Sequence, residues 1–283
     1  MPRKTTVLLA ALLLAAGAAG AADAAKPFPK AARAGPPQFQ DDAALASAVA
    51  GSWRAETNRA RDPHRHPAES LTFWGVRPGA TIVEISPGGG YWTEIVAPYA
   101  KATKGRYIAA VSERGTPAFK TKYADAAVYG PIETVVFSKT TNLGAPATAD
   151  VVFTARNIHS FMGQDNLDKV MADAFAVLKP GGILGVEEHR ADPRPMVAGA
   201  KDGYVSEAHV IAAAERAGFK LDARSDINAN PKDTKDHPFG VWTLPPTKQT
   251  AASGQPADPK FDRTKYDAIG ESDRMTLRFR KPG

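Results

Sequence analysis

Residues 80–96, ATIVEISPGGGYWTEIV, leave few folds open to this chain. A short apolar run (Ile82, Val83, Ile85) carries one acid, Glu84, then meets a glycine-rich turn and passes into a helical pattern. That is the layout of a first strand, a ligand-receiving loop and a first helix in a doubly wound α/β domain. Glycines suit such a loop because the backbone turns sharply and a ligand can approach it with no Cβ in the way. The helix behind it offers unpaired N–H groups to polar ligand atoms. A tight strand–helix turn without a ligand is the plain alternative, so the rest of the chain has to decide.

Beyond the loop, strand and helix patterns alternate. Thr93 to Ala102 reads as helix, Arg106 to Val111 as a second strand, Pro117 to Ala127 as helix and Glu133 to Phe137 as a third strand. Asp150 to Ala155 is a buried-type fourth strand, and Asp165 to Leu178 has apolar residues at helical spacing. The turn Lys179-Pro-Gly-Gly182 then leads into a fifth strand from Ile183 to Val186. Ser206 to Ala217 reads as helix, Phe219 to Leu221 as strand, and the alternating run from Arg274 to Pro282 as the last strand. Upstream, Asp41 or Asp42 is placed to cap a helix running to about Arg59. These patterns predict a doubly wound, mostly parallel seven-stranded α/β sheet in a single domain over 41–283. An N-terminal helical lid covers 41–75, and an insertion over 227–271 precedes the last strand.

The N-terminus reads as an address. Arg3 and Lys4 precede an apolar, small-residue run from Val7 to Ala19, with small residues beyond it that suit cleavage. The run is too short to span a bilayer, so residues 1–25 are expected to be a signal peptide and 26–40 a linker. Its removal takes away two cations and one anion, so the formal net charge of +6 becomes +5. With no cysteine, disulfides, thiolate metal sites and a lipidated N-terminal cysteine are all excluded. The expectation is a periplasmic or secreted protein with no stable membrane anchor. Lys and Arg are scattered rather than striped, which argues against nucleic acid as partner.

The acid decides between ligands. A dinucleotide loop follows G-x-G-x-x-G and receives a pyrophosphate; here Gly88 and Gly90 fill the first two places, and Thr93 stands at the third. A carboxylate at Glu84 repels a pyrophosphate and attracts a cationic amino-acid end. Both features disfavour a nicotinamide oxidoreductase. The pattern Glu84-x-x-x-Gly88-x-Gly90 resembles the first motif of class I S-adenosylmethionine (SAM) dependent methyltransferases, as do Asp150-Val-Val, Leu178-Lys-Pro-Gly-Gly182 and Ala217-Gly-Phe219 in their order. Arg61-Asp, Arg65-His-Pro, Leu71-Thr-Phe-Trp-Gly and the closing Arg-Phe-Arg-Lys-Pro resemble a narrower group of exported bacterial proteins predicted to be methyltransferases.

The resemblance implies SAM as cofactor, with Glu84, Ser86, Gly88 and Gly90 shaping the methionine end. Ser86 stands where the family usually has its first glycine. Glu113, one residue later than the usual acid, is the ribose candidate, and Lys139 occupies the place where an acid often meets adenine. Asn157, in the loop after the fourth strand, is assigned to the cofactor.

His159 in the same loop resembles a residue that orients or deprotonates the methyl acceptor. His66, Trp92 and His189 are the substrate-side candidates. The acceptor is expected to be an O or N atom of a small molecule. His64-x-His66 with His159, Glu188 and His189 is chemically able to ligate zinc or iron, but no H-E-x-x-H spacing exists, and no metal is assigned. The rival reading is a non-catalytic periplasmic binding protein of the same fold.

Overall fold

A computed structural model describes residues 42–193 and 195–283, besides Met1. All elements named here belong to one unit, Ala31–Gly283. The expected signal peptide (1–25, apart from Met1) and linker (26–40) lie outside the described residues.

Seven strands form the sheet: β1 Thr81–Ile85, β2 Arg106–Val111, β3 Glu133–Val136, β4 Ala149–Ala155, β5 Leu178–His189, β6 Lys220–Ser225 and β7 Arg274–Arg280. Their order is β3-β2-β1-β4-β5-β7-β6, and only β7 runs antiparallel to its neighbours. The flanking helices are α1 Ala43–Val49, α2 Glu56–Arg59, α3 Asp62–Arg65, α4 Pro67–Phe73, α5 Thr93–Ala102, α6 Thr116–Lys122, α7 Ala126–Tyr129, α8 Ile158–Gly163, α9 Leu167–Val177, α10 Glu207–Arg216 and α11 Thr264–Ile269. The strand order reverses between β1 and β4, so the crevice beyond their carboxyl ends is where such sheets bind ligands.

Every residue of β1 is buried, as a central parallel strand with helices on both faces requires. Its alternation feeds two cores. Val83 and Ile85 pack with Met171, Leu184 and Val186 on one face, and Ile82 packs with Trp74, Ile95 and Phe153 on the other. Glu84 shares the parity of Ile82, so it is carried into the sheet–helix layer beneath α5.

The structure corrects four boundaries. The helix expected to run from Asp41 or Asp42 to Arg59 is two helices. Asp42 caps α1 by accepting the Ala44 and Leu45 N–H groups, and the chain turns at Ala50-Gly51. A side chain at Gly51 would strike the Trp53 ring at 2.3 Å, so the turn depends on the glycine while Trp53 folds back to donate to the Glu94 carbonyl at 2.9 Å. The helix expected over 117–127 is interrupted, because Asp125 caps a separate α7. A short helix, α8, precedes α9 and had no counterpart in the sequence pattern. Lys179–Gly182 is not a turn before β5 but an irregularity within it: Ala149 pairs with Leu178, and the next pair is Val151 with Ile183.

Gly185 of β5 lies under Trp74, which stacks on Phe153 with ring centroids 5.4 Å apart. A Cβ at Gly185 would fall 2.4 Å from Trp74 Cγ, in a layer with no room to yield. Gly185→Ala is therefore expected to cost about 2 kcal/mol or more. Urea unfolding would show a lowered midpoint at unchanged m, and a wild-type midpoint would contradict this packing.

Candidate ligand site at the glycine loop

The loop after β1 is shaped by backbone conformation. Ser86 has φ of 56°, Gly88 57° and Gly90 86°. A side chain at Gly90 would sit 1.6 Å from the Tyr123 hydroxyl, so this position has to be glycine on both counts. Ser86 holds the left-handed conformation that a glycine adopts freely, at a cost of roughly 1–2 kcal/mol. Asn157 fixes the turn from the β4 side: its amide donates to the Ile85 and Ser86 carbonyls, each at 3.2 Å, and to Thr154 Oγ1 at 3.0 Å.

Glu84 is 2 % exposed, and its Oε2 accepts hydrogen bonds from the Tyr107 hydroxyl and from Thr93 Oγ1 at 3.1 Å. Burial pushes its carboxyl up to about 7, and the two hydroxyl donors offset only part of that rise. Thr93, which stands in place of a third glycine, thus serves the acid rather than a pyrophosphate.

The segment 53–65 covers the loop. Arg54 makes a two-point ion pair with Asp62 at 2.7 and 2.8 Å, and the Tyr91 hydroxyl donates to the same carboxylate at 2.6 Å. Arg65 lies over the Tyr91 ring at 4.6 Å. Glu271 binds Arg61 at 2.7 Å and Arg65 at 3.0 Å. Yet Arg61 Nη2, Arg65 Nη2 and Arg156 Nε are buried without a hydrogen-bond partner. These three arginines and Glu84 line a cavity of about 90 Å³ against the glycine loop. Residues 86–89 and Asn157 also line a second cavity of about 440 Å³, whose far wall includes Val111, Ser112, Phe119 and Tyr123.

A histidine pair lies at the ends of β4 and β5. His159 Nδ1 is 3.0 Å from Glu188 Oε1, and its backbone N–H donates to Glu188 Oε2 at 3.2 Å. His189 N–H donates to Glu188 Oε1 at 2.8 Å, and its Nδ1 meets Ser272 Oγ at 2.5 Å. The two imidazoles are 5.6 Å apart between centroids. Burial, and then the neighbouring Arg156, hold His189 well below the usual histidine range. The His159 ring meets Trp242 of the insertion at 5.8 Å, and Trp242 lines an open cleft of about 690 Å³.

No family model matches the chain. Over 138 residues it is 26% identical to the ubiquinone/menaquinone biosynthesis C-methyltransferase UbiE of Hydrogenovibrio crunogenus, an alignment covering 48% of this chain and 52% of that protein. The chain thus spans about half the length of the curated relative it matches. The solved structure of the [4+2]-cyclase SpnF is similar with a TM-score of 0.57 at 15% identity, over 84% of this chain and 92% of that one. A Galdieria sulphuraria protein assigned as a sarcosine dimethylglycine methyltransferase is similar with a TM-score of 0.51 at 12% identity, over 79% and 86% of the two chains. The fold is the class I methyltransferase fold. Since a cyclase shares it, the reaction has to be argued from residues.

Within the methyltransferase fold, Glu84, Ser86, Gly88 and Asn157 are gathered at the small cavity with Trp92. Trp92 is packed edge-on against Trp74 at 5.4 Å and Tyr91 at 4.9 Å, which makes it as much core as wall. Glu113 is exposed on a 3-10 turn, and Ser112 rather than Glu113 lines the larger cavity; Lys139 does not line it either. His66 faces away, its Nδ1 3.2 Å from Asn228 Oδ1 in the insertion. Arg61, Arg65 and Arg156 were not singled out from the sequence as ligand contacts. Their signal was there: Arg61 and Arg65 are four residues apart, which puts them on one helical side, and Arg156 follows a strand end beside Asn157.

Glu84 makes stability depend on pH in a stated direction. Its folded-state value of about 7 lies above the ordinary 4.5, so the folded protein holds this proton longer than the unfolded chain. The associated stability is full below about 4.5 and is lost as pH rises through about 7. Glu84→Gln removes that loss. Urea unfolding from pH 5 to 8 should show the variant gaining on the wild type as pH rises, whereas parallel curves would contradict a buried, proton-holding Glu84.

Proposed function

We propose that this protein binds S-adenosylmethionine at the glycine loop and transfers its methyl group to a hydroxyl or amine of a small molecule, outside the cytoplasm. The division of charge in the small cavity carries the reading. One wall is a buried carboxylate, Glu84, and the lining also includes Arg61, Arg65 and Arg156, each with a buried N–H donor that has no partner. An amino-acid zwitterion matches both, its ammonium toward Glu84 and its carboxylate toward the guanidinium groups. A phosphate end matches only the second. The larger cavity beyond the loop, with Val111 and Phe119 for an apolar ring and Ser112 for a hydroxyl, suits the nucleoside half. The UbiE relative, a C-methyltransferase by name, supports methyl transfer over the aligned half.

His159 stands between cofactor and cleft. Asn157, two residues before it, lines both cofactor-side cavities, and the His159 ring meets Trp242 at the cleft wall. Glu188 holds the ring through Nδ1, which leaves Nε2 to take the acceptor's proton. When bound, S-adenosylmethionine would supply an electrophilic methyl group to the acceptor lone pair, its sulfur becoming a neutral thioether, while His159 would take the acceptor's proton. Export rests on residues 1–25; among the described residues, no helix is long and apolar enough to cross a membrane.

Calorimetry with SAM and its demethylated product tests the cofactor. Both are expected to bind, and Arg61→Met should weaken SAM by about 10- to 100-fold through loss of a charged hydrogen bond. His159→Gln is expected to keep SAM affinity while lowering turnover about 100-fold or more. No binding of SAM at millimolar concentration would sink the reading. Binding without turnover over a broad acceptor panel would point instead to a non-catalytic binding protein.

A further inference from the structure

Three side chains at the acceptor end converge on a single point, and we propose that His159, Glu188 and His189 bind a divalent first-row transition metal. Their ligand atoms lie within 4.8 Å of one another. His159 Nδ1 is 3.0 Å from Glu188 Oε1, and His189 Nε2 is 4.0 Å from the same oxygen. Donors bound to one ion at roughly 2.0–2.2 Å stand about 3–3.5 Å apart, so His159 and Glu188 are already at that spacing and the His189 ring has to move in by roughly 0.5–1 Å to close the set. Two histidines and one carboxylate on one side of an ion, with the remaining positions open, is a donor set for iron, zinc, cobalt or manganese rather than for magnesium or calcium.

The surroundings are those of a built site. Ser272 Oγ engages His189 Nδ1 at 2.5 Å, which turns the other ring nitrogen toward Glu188. Backbone N–H groups of His159 and His189 hold the two Glu188 oxygens. A catalytic His–Glu pair alone has no use for His189: among the described residues its Nε2 makes no hydrogen bond, only the 4.0 Å approach to Glu188. Of the two arginines that act on His189, Arg274 is paired, with Glu187 at 3.0 Å and Glu271 at 2.7 Å, while Arg156 keeps a buried Nε without a partner. The other histidines once weighed as ligands do not join. His66 faces Asn228, and the His64 ring lies against Gly270.

The site's existence stands apart from the methyl-transfer reading; only its catalytic consequence rests on that reading. With an ion bound, His159 is a ligand and no longer the base. The acceptor hydroxyl instead coordinates the ion, loses its proton to solvent because the ion stabilises the alkoxide, and attacks the methyl group with no change in the metal's oxidation state.

The test uses the untagged full chain, stripped with chelator and titrated with zinc or cobalt chloride without SAM. One ion per chain is expected, with visible cobalt bands of a nitrogen–oxygen site. Glu188→Gln, His189→Gln and the more accessible His159→Gln should each weaken zinc on the order of 100-fold or more. Far-UV circular dichroism and SAM titration check that each variant is folded. Absence of stoichiometric binding, or zinc affinity unchanged in the folded variants, would overturn the site. SAM binding to the stripped protein is read separately, so loss of either reading leaves the other standing.

Discussion

Asp62 holds this site together. One carboxylate takes the Arg54 guanidinium at two points and the Tyr91 hydroxyl at a third. It thereby pins the segment before the sheet onto the first residue after the glycine loop. The neighbours of Asp62 in sequence, Arg61 and Arg65, are carried over the loop by that contact and reach the cavity that Glu84 lines from the sheet side. Glu271, just before β7, takes both arginines from the opposite side and leaves one nitrogen of each unused. The residues that carry these unsatisfied donors line the cavity, where a bound anion would offset the desolvation cost.

The same logic separates cofactor from acceptor. In the proposed reading the methionine end of SAM meets charges at the ends of β1 and β4, while the histidines stand one strand farther along, at the ends of β4 and β5. The fold is shared with a cyclase, so the sheet alone does not dictate transfer. What the sheet supplies is adjacency. Asn157 and His159, two residues apart, belong to neighbouring compartments because the chain enters α8 between them.

The strands were legible because a parallel sheet needs short, mainly apolar runs punctuated by turn residues, and β1, β2 and β4 have them. α5 was legible to the residue despite Pro98. Helix breaks were harder: the turn after α1 needs Gly51 because the Trp53 ring, two residues on, occupies the space a Cβ would take, which no periodicity encodes. Ser86 was legible as a departure, and its positive φ shows that it fills the geometry of the missing glycine. Glu113 was placed by alignment of a loop whose register the 3-10 turn shifts, so Ser112 faces the cavity instead. The arginines and the pairing of Glu188 with both histidines depend on contacts across long stretches of chain, and sequence spacing carries little of that.

The central claim is that opposite charges in one small cavity recognise the two ends of an amino-acid zwitterion. Comparing the affinities of SAM and its decarboxylated analogue for the same preparation tests it most directly. If Arg61, Arg65 and Arg156 hold the carboxylate, the analogue binds more weakly on the order of a hundredfold or more, the loss expected for charge-assisted hydrogen bonds left unmade. Equal affinities would contradict the account.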